Sequence, residues 1–169
     1  MKQGWEKEIL GNLIYENKKS IFKVRDASND GDYIFFTSGK KTKRMNTFLV
    51  AGENIIVSTG GKAVVSYFKG KACYSTDAYC ITALREKSNT KFLYYYILSK
   101  LDIIEKEMFL GAAIKHLQKK DFKKLSIDLP SLQEQKRIVA KLDECFEAIE
   151  KARANVEKNL NNAKELFQS

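Results

Sequence analysis

Ser20-Ile21-Phe22-Lys23 has the S-x-x-K spacing in which a lysine amine takes the proton of a serine hydroxyl, the opening step of covalent acyl transfer. No S-D-N or K-T-G segment follows to complete that machinery. Thr59-Gly60-Gly61-Lys62 ends like a loop that cradles phosphates with backbone N–H groups. The first glycine of G-x-x-x-x-G-K-[ST] is missing, however, and Ala63 stands where a magnesium-binding hydroxyl belongs. His116 is the single histidine, which excludes histidine-rich metal sites, and no paired acids fall in a catalytic frame. Cys73, Cys80 and Cys145 are odd in number and lack C-x-x-C spacing, so reduced thiols are expected rather than a disulfide framework or a zinc site. Pro130 is the single proline, which rules out the N-P-P-Y type of motif used by amino-methyltransferases. These exclusions predict a chain that is not an enzyme and holds neither metal nor cofactor.

Charge and loop chemistry point to recognition instead. Thirty Lys and Arg against 21 Asp and Glu give a net charge of +9, which predicts a polyanionic partner. The excess is not spread evenly. From Pro130 onward, Lys136, Arg137, Lys141, Lys151, Arg153, Lys158 and Lys164 are balanced by Glu134, Asp143, Glu144, Glu147, Glu150, Glu157 and Glu165. The whole surplus therefore belongs to a basic head, residues 1–129, and the tail is neutral. Within the head, Lys40, Lys41, Lys43 and Arg44 follow Gly39 in one turn-like stretch, where exposed cations suit phosphates. Ser58, Thr59, Gly60, Gly61 and Lys62 combine small hydroxyls and glycines that let the backbone approach a phosphate or base edge. Tyr74, Ser75 and Thr76, with Asp77 and Tyr79, come after Lys69 and Lys71 and suit base reading as well as strand packing. A third loop runs Gly111-Ala112-Ala113-Ile114-Lys115-His116, with Lys115 as its candidate contact.

These loops need a scaffold, and the apolar runs supply one. Residues 33–37, 54–58, 63–68 and 78–84 are short β-branched or aromatic stretches bounded by turn residues, so each predicts a strand. Residues 90–110 carry Phe92, Tyr95, Tyr96, Leu98, Ile103 and Ile104 at helical spacing, which predicts one or two helices ended by Gly111. A short helix is expected within 114–125 and a last strand at 125–129. No run reaches the roughly 18 uncharged apolar residues of a membrane helix, and the acidic start lacks the apolar core of a secretory signal, so a cytoplasmic location is expected.

The tail predicts one long helix. Ser131-Leu132-Gln133-Glu134 has the S-x-x-E spacing of a capping box. Beyond it Leu142, Ile149, Val156 and Ala163 form one heptad row, and Ile138, Cys145, Ala152, Asn159 and Leu166 the other. Val139, Phe146, Leu160 and Phe167, interrupted by Arg153, make a third row that widens the apolar face. A helix of that length, on the order of 55 Å, cannot hide its seam on a small head. The expectation is a partner helix from another chain, with a helix folded back on its own core as the alternative.

The order of these pieces resembles the target-recognition domain of the specificity subunit of type I restriction-modification systems. The resemblance rests on Gly4-Trp5, on Gly52-Glu53-Asn54-Ile55-Ile56-Val57-Ser58 followed by Gly60-Gly61, on Ser75-Thr76-Asp77-Ala78-Tyr79, and on Leu93-Tyr94-Tyr95-Tyr96-Ile97-Leu98. Most specific is the junction Leu129-Pro130-Ser131-Leu132-Gln133-Glu134-Gln135-Lys136-Arg137-Ile138-Val139, with Gly111 and Leu117 upstream. The resemblance implies an α+β fold, with a head of short strands and a few helices (1–129) and a coiled-coil dimerisation helix (130–169). It implies a half-subunit that recognises double-stranded DNA without catalysis. Two such heads, held apart by antiparallel helices, would read an interrupted, palindromic site. It also implies methyltransferase subunits that use S-adenosylmethionine, with a restriction subunit as a further partner and the third row, Val139, Phe146, Leu160 and Phe167, as the docking surface. A stand-alone dimeric DNA-binding regulator and an inactive or competing fragment are the other readings of the same features.

Overall fold

Asn54-Ile55-Ile56-Val57-Ser58 lacks the polar alternation of a half-exposed strand, and in the computed structural model it lies buried between two neighbours at the centre of a four-stranded sheet. The structure describes residues 4–168, with side chains through Glu165. In chain order the elements are β1 (Glu6–Ile9), β2 (Ile14–Glu16), β3 (Tyr33–Phe36), β4 (Lys43–Met45), β5 (Glu53–Ser58), β6 (Val65–Lys69), β7 (Ala72–Tyr74), β8 (Ala78–Ala83), α1 (Thr90–Ser99), α2 (Leu101–Met108), β9 (Phe109–Leu110), β10 (His116–Leu117), α3 (Lys119–Lys123), β11 (Ser126–Leu129) and α4 (Leu132–Gln168). The fold is thus α+β with a long C-terminal helix.

Side chains alternating along the central strands divide the head into layers. Ile55, Val57, Tyr79 and Ile81 face a helical layer that brings in Leu93, Ile97, Ile104 and Phe122. Ile56, Ala78 and Cys80 point the other way, onto Phe36, Ala72 and Tyr74 of a second sheet ordered β4-β3-β7. In that sheet β3 runs antiparallel to β4 and parallel to β7. Cys80 is buried between the two sheets and Cys73 on the far side of the second, against Ala27 and Phe35; burial pushes the Cys80 thiol up to about 12, which makes it inert as a nucleophile. Ser20 of the S-x-x-K stretch is buried as well, its hydroxyl accepting the Phe22 N–H at 3.0 Å.

Several boundaries differ from those expected. The strand foreseen from Ala63 begins at Val65, because the Ala63 N–H is taken by the Glu105 carboxylate at 3.0 Å. The helices foreseen to run to Gly111 end at Met108, since Phe109 and Leu110 pair with Leu117 and His116 as a small hairpin, while the short helix foreseen within 114–125 is α3. Lys43 and Arg44 lie on a strand rather than in a turn: β4 pairs with β3, and Arg44 also bridges Ser28. β1 was not foreseen, because Glu6-Lys7-Glu8-Ile9 is largely exposed and shows no alternation. Its pairing with β11, Glu6 opposite Leu129 through Ile9 opposite Ser126, holds it in place.

The head and α4 are joined by one buried amide. Gln135 is fully buried, and its Nε2 donates to the carbonyls of Pro130 at 2.9 Å and Lys87 at 3.4 Å. Its Oε1 accepts the N–H of Asn89 at 2.8 Å, and Asn89 in turn caps α1 by accepting the Phe92 N–H. One turn on, Ile138 and Val139 pack against the head's core. The Asp143 carboxylate receives Lys91 at 2.7 Å and the Tyr95 hydroxyl, and Phe146 stacks on Tyr95 with ring centroids 5.4 Å apart. Burial raises the Asp143 pKa, but these two donors outweigh it and hold the carboxyl below its usual value.

The tail is therefore neither folded back nor wholly projecting. Ile138 and Leu142 of the proposed seam, and Val139 and Phe146 of the proposed docking row, are half-covered or stacked on the head. Past Phe146 the helix leaves the head. Ile149, Val156 and Leu160 are 58%, 67% and 53% exposed. Cys145, Ala152 and Asn159 are exposed too, and Ala163 is half-buried. The side chains of Leu166 and Phe167 lie outside the described residues.

Gln135→Ala would leave the Asn89 N–H and the Pro130 carbonyl without their partner in a dry site. A loss of about 2–3 kcal/mol is expected, seen as a thermal midpoint lower by about 5–10 °C. Gln133→Ala, on the exposed side of the same turn, should change the midpoint by less than about 2 °C.

Candidate nucleic-acid interface

β3, β5 and β7 end on one edge of the head, and the loops that follow them are tied together by their backbones. The Thr59 N–H donates to Asp77 at 3.0 Å, and the Thr59 carbonyl accepts the Leu117 N–H at 3.0 Å. The Gly61 N–H donates to Lys115 at 3.0 Å, and Gly60 bridges His116. The turn after β5, the turn after β7 and the hairpin 109–117 thus form one continuous surface. Across a cleft of about 610 Å³ the Ser38–Lys40 turn faces Gly60, Gly61 and Lys62. Lys40, Lys41, Lys62 and Lys115 are exposed around it.

Local chemistry explains why each turn holds its shape. The Thr37 hydroxyl accepts the Gly39 N–H at 3.1 Å and donates to the Lys41 carbonyl at 2.9 Å, closing the first turn. The Ser58 hydroxyl donates to the Lys62 carbonyl at 2.8 Å and accepts the Val64 N–H at 2.9 Å, closing the second. Gly61, at φ +79°, gives that turn a left-handed residue. Gly111, at φ +146°, starts the third, and a Cβ there would meet the Ile114 carbonyl oxygen at 2.3 Å.

Three residues expected at this surface are absent from it for a physical reason. Ser58 is 2% exposed and spends its hydroxyl on the turn. Ser75 is fully buried and its Oγ accepts the Asp77 N–H. Tyr74 is 1% exposed, with its hydroxyl bound to the Lys18 carbonyl. All three build the edge rather than face a ligand. Lys69 and Lys71 lie at the other end of the strands, where Lys69 pairs with Glu53 at 3.7 Å and Lys71 sits 4.6 Å over the Phe48 ring. Lys43 is half-buried against the Val24 carbonyl, and Arg44 is exposed on β4. Thr59, Gly60, Gly61, Lys62, Thr76 and Lys115 remain together, with Lys40 and Lys41 across the cleft.

Sequence reasoning missed three cations at the same edge. Lys18, Lys19 and Lys119 line a hollow of about 340 Å³ that Thr59 and Thr76 also line. The Lys18-Lys19 pair before Ser20 was a readable signal, whereas Lys119 is brought there only by the 109–117 hairpin. No group of three or more His, Cys, Asp or Glu among the described residues could hold a metal ion. Among the described residues no helix is long and apolar enough to cross a membrane.

Gly111→Ala forces the 111–116 loop to move. We expect the Leu117 amide, now bonded to Thr59, to lose protection in hydrogen exchange, at a stability cost of about 1–3 kcal/mol. The amides of β5 should stay protected relative to global unfolding.

A family model described as the type I restriction modification DNA specificity domain matches residues 2–158. The chain is 30% identical over 155 residues to the type I restriction enzyme EcoDI specificity subunit of Escherichia coli, covering 90% of this chain and 34% of that protein. Among solved structures, the type I restriction-modification S subunit from M. genitalium superposes with a TM-score of 0.75 at 24% identity, over 87% of this chain and 40% of that one. A chain solved in work on complex assembly and conformational transition of the type I R-M system superposes with a TM-score of 0.72 at 20% identity, over 96% and 44%. The chain spans about a third of the length of the curated relative. With its helical junction, layered head and family match in agreement, the chain belongs to the type I restriction modification DNA specificity domain family.

Proposed function

We propose that this chain is a non-catalytic DNA-recognition subunit of a type I restriction-modification assembly, with a head at 1–129 that binds duplex DNA and a helix at 130–169 that pairs with a second copy. The observation that carries the reading is the single edge where three strand ends and the 109–117 hairpin gather exposed lysines around glycine-rich turns. Lys40, Lys41, Lys62 and Lys115 hold phosphates, and Thr59, Gly60, Gly61 and Thr76 let bases or backbone come close. Lysine contacts of this kind set affinity and register. Discrimination comes from the groups that reach base edges.

The helix supports the pairing. Cys145, Ile149, Ala152, Val156 and Asn159 of the two rows are exposed, and all but Cys145 lie past Phe146, where the helix leaves the head. Two copies related by a two-fold axis cover that seam and place two heads at a fixed separation, which suits a two-part palindromic site. Methyltransferase subunits, the holders of S-adenosylmethionine, and a restriction subunit are the further partners. Of the third row, Leu160 is the described residue still open to them, because Val139 and Phe146 are engaged by the head. A cytoplasmic location goes with this role. The regulator and competitor readings gain nothing from the comparisons.

Light scattering on the purified protein should give a mass near twice 19.4 kDa. Ile149→Asp combined with Val156→Asp should return the monomer value with the head's thermal midpoint unchanged, because both positions lie beyond its contacts. A wild-type monomer, or a dimer indifferent to both charges, would refute helix pairing.

A further inference from the structure

The hollow of about 340 Å³ beside Thr59 and Thr76 has no part in the turns that shape the edge, yet it gathers three lysines from distant segments. Lys18 and Lys19 follow β2, and Lys119 opens α3. The acid among its lining groups, Glu16, is already paired with Lys123 at 2.8 Å, so Lys18, Lys19 and Lys119 are left in excess. Lys119 is half-buried with its Nζ 4.2 Å over the Tyr79 ring. Burial draws its pKa below the ordinary lysine value; attraction to Glu16 opposes this, and repulsion from Lys19 and Lys123 adds to it. Cations gathered around one hollow repel one another, and an anion seated among them relieves that repulsion.

A second observation is independent of the lysines. Tyr79 also lines the hollow, 3% exposed, and its hydroxyl completes no hydrogen bond of normal geometry among the described residues. Burial first, and the Glu16 carboxylate second, push this phenol up, so it keeps its proton at neutral pH. The acceptor beside it, the Glu16 carboxylate, is shared with Lys123, so a ligand oxygen in the hollow would give the phenol a fuller partner.

We propose that this hollow seats one backbone phosphate of the bound duplex, held by Lys18, Lys19 and Lys119 and by the Tyr79 hydroxyl, so that it fixes the register in which the Thr59–Lys62 turn meets the bases. The assignment rests on the DNA-recognition reading. The shared chemistry is that of a phosphate oxygen anion, which a free phosphate would also offer. The site sits beside the turns, not under them, so it contributes affinity for any sequence and discrimination for none.

The test is fluorescence anisotropy of the full chain with two labelled 30-base-pair duplexes of unrelated sequence, from 50 to 200 mM salt. Lys18→Ala, Lys19→Ala and Lys119→Ala are each expected to weaken binding to both duplexes by the same factor, about 3- to 10-fold. The triple variant should lower the slope of log affinity against log salt by about one, the value for one phosphate. Tyr79→Phe should weaken both duplexes a few-fold with an unchanged thermal melt. Unchanged affinity in these variants overturns the proposal, as does a slope change near three or a loss confined to one duplex. Calorimetry with inorganic phosphate separates the sources: submillimolar binding that Lys119→Ala abolishes, with DNA affinity untouched, assigns the hollow to a small anion and overturns the proposal. A wild type that binds neither duplex at any salt overturns the DNA reading itself, and the hollow's role with it.

Discussion

The Gln135 side chain is the constraint on which the rest of this molecule depends. A single fully buried amide ties the first turn of α4 to the end of β11, to the Lys87 carbonyl and to the start of α1. Burying an amide is unfavourable unless both of its ends are satisfied, and here both are. The result is a stiff joint rather than a hinge, reinforced within three turns by Asp143 and by the Tyr95–Phe146 stack. A long helix can act as a spacer only if the head it carries cannot swivel.

The second constraint is the shared direction of strand ends. β3 and β7 are parallel, so the turns that follow them open on the same edge, and the Thr59–Asp77 bond brings the end of β5 beside them. The turns are short and closed by their own hydroxyls, from Thr37 and Ser58. Their cations are then presented by rigid backbone, while the apolar layers behind absorb no functional demand.

What could be read from the sequence was what local chemistry writes. The apolar run of β5, the aromatic periodicity of α1 and the Ser131 start of α4 stand where the pattern put them, whereas the helices foreseen to reach Gly111 end at Met108, because Phe109 and Leu110 pair with β10. Ser131 accepts the Glu134 N–H at 3.3 Å, while the Glu134 carboxylate grips Arg137. What could not be read depends on distant partners. β1 is a strand because β11 lies beside it, Tyr74 is buried because β7 faces the central sheet, and Ser75 is buried where its N–H bonds the Phe36 carbonyl. Composition marks a Tyr-Ser-Thr stretch as sticky, but only tertiary packing decides that Thr76 stays accessible while its two neighbours do not. Likewise the heptads predict a seam from Ile138 onward, and only the fold shows that Ile138 and Leu142, its first residues, are half-covered near the head.

The central claim is that the lysine-rich edge reads sequence in two mirrored halves at a spacing set by the helix. It is tested most directly by selecting bound molecules from a random duplex library with the purified protein and sequencing them. The account predicts enrichment of an interrupted motif whose halves are inverted copies, with one fixed spacer. Recovery of sequences no different from the input, by a protein that is folded and retains duplex through charge alone, would contradict it.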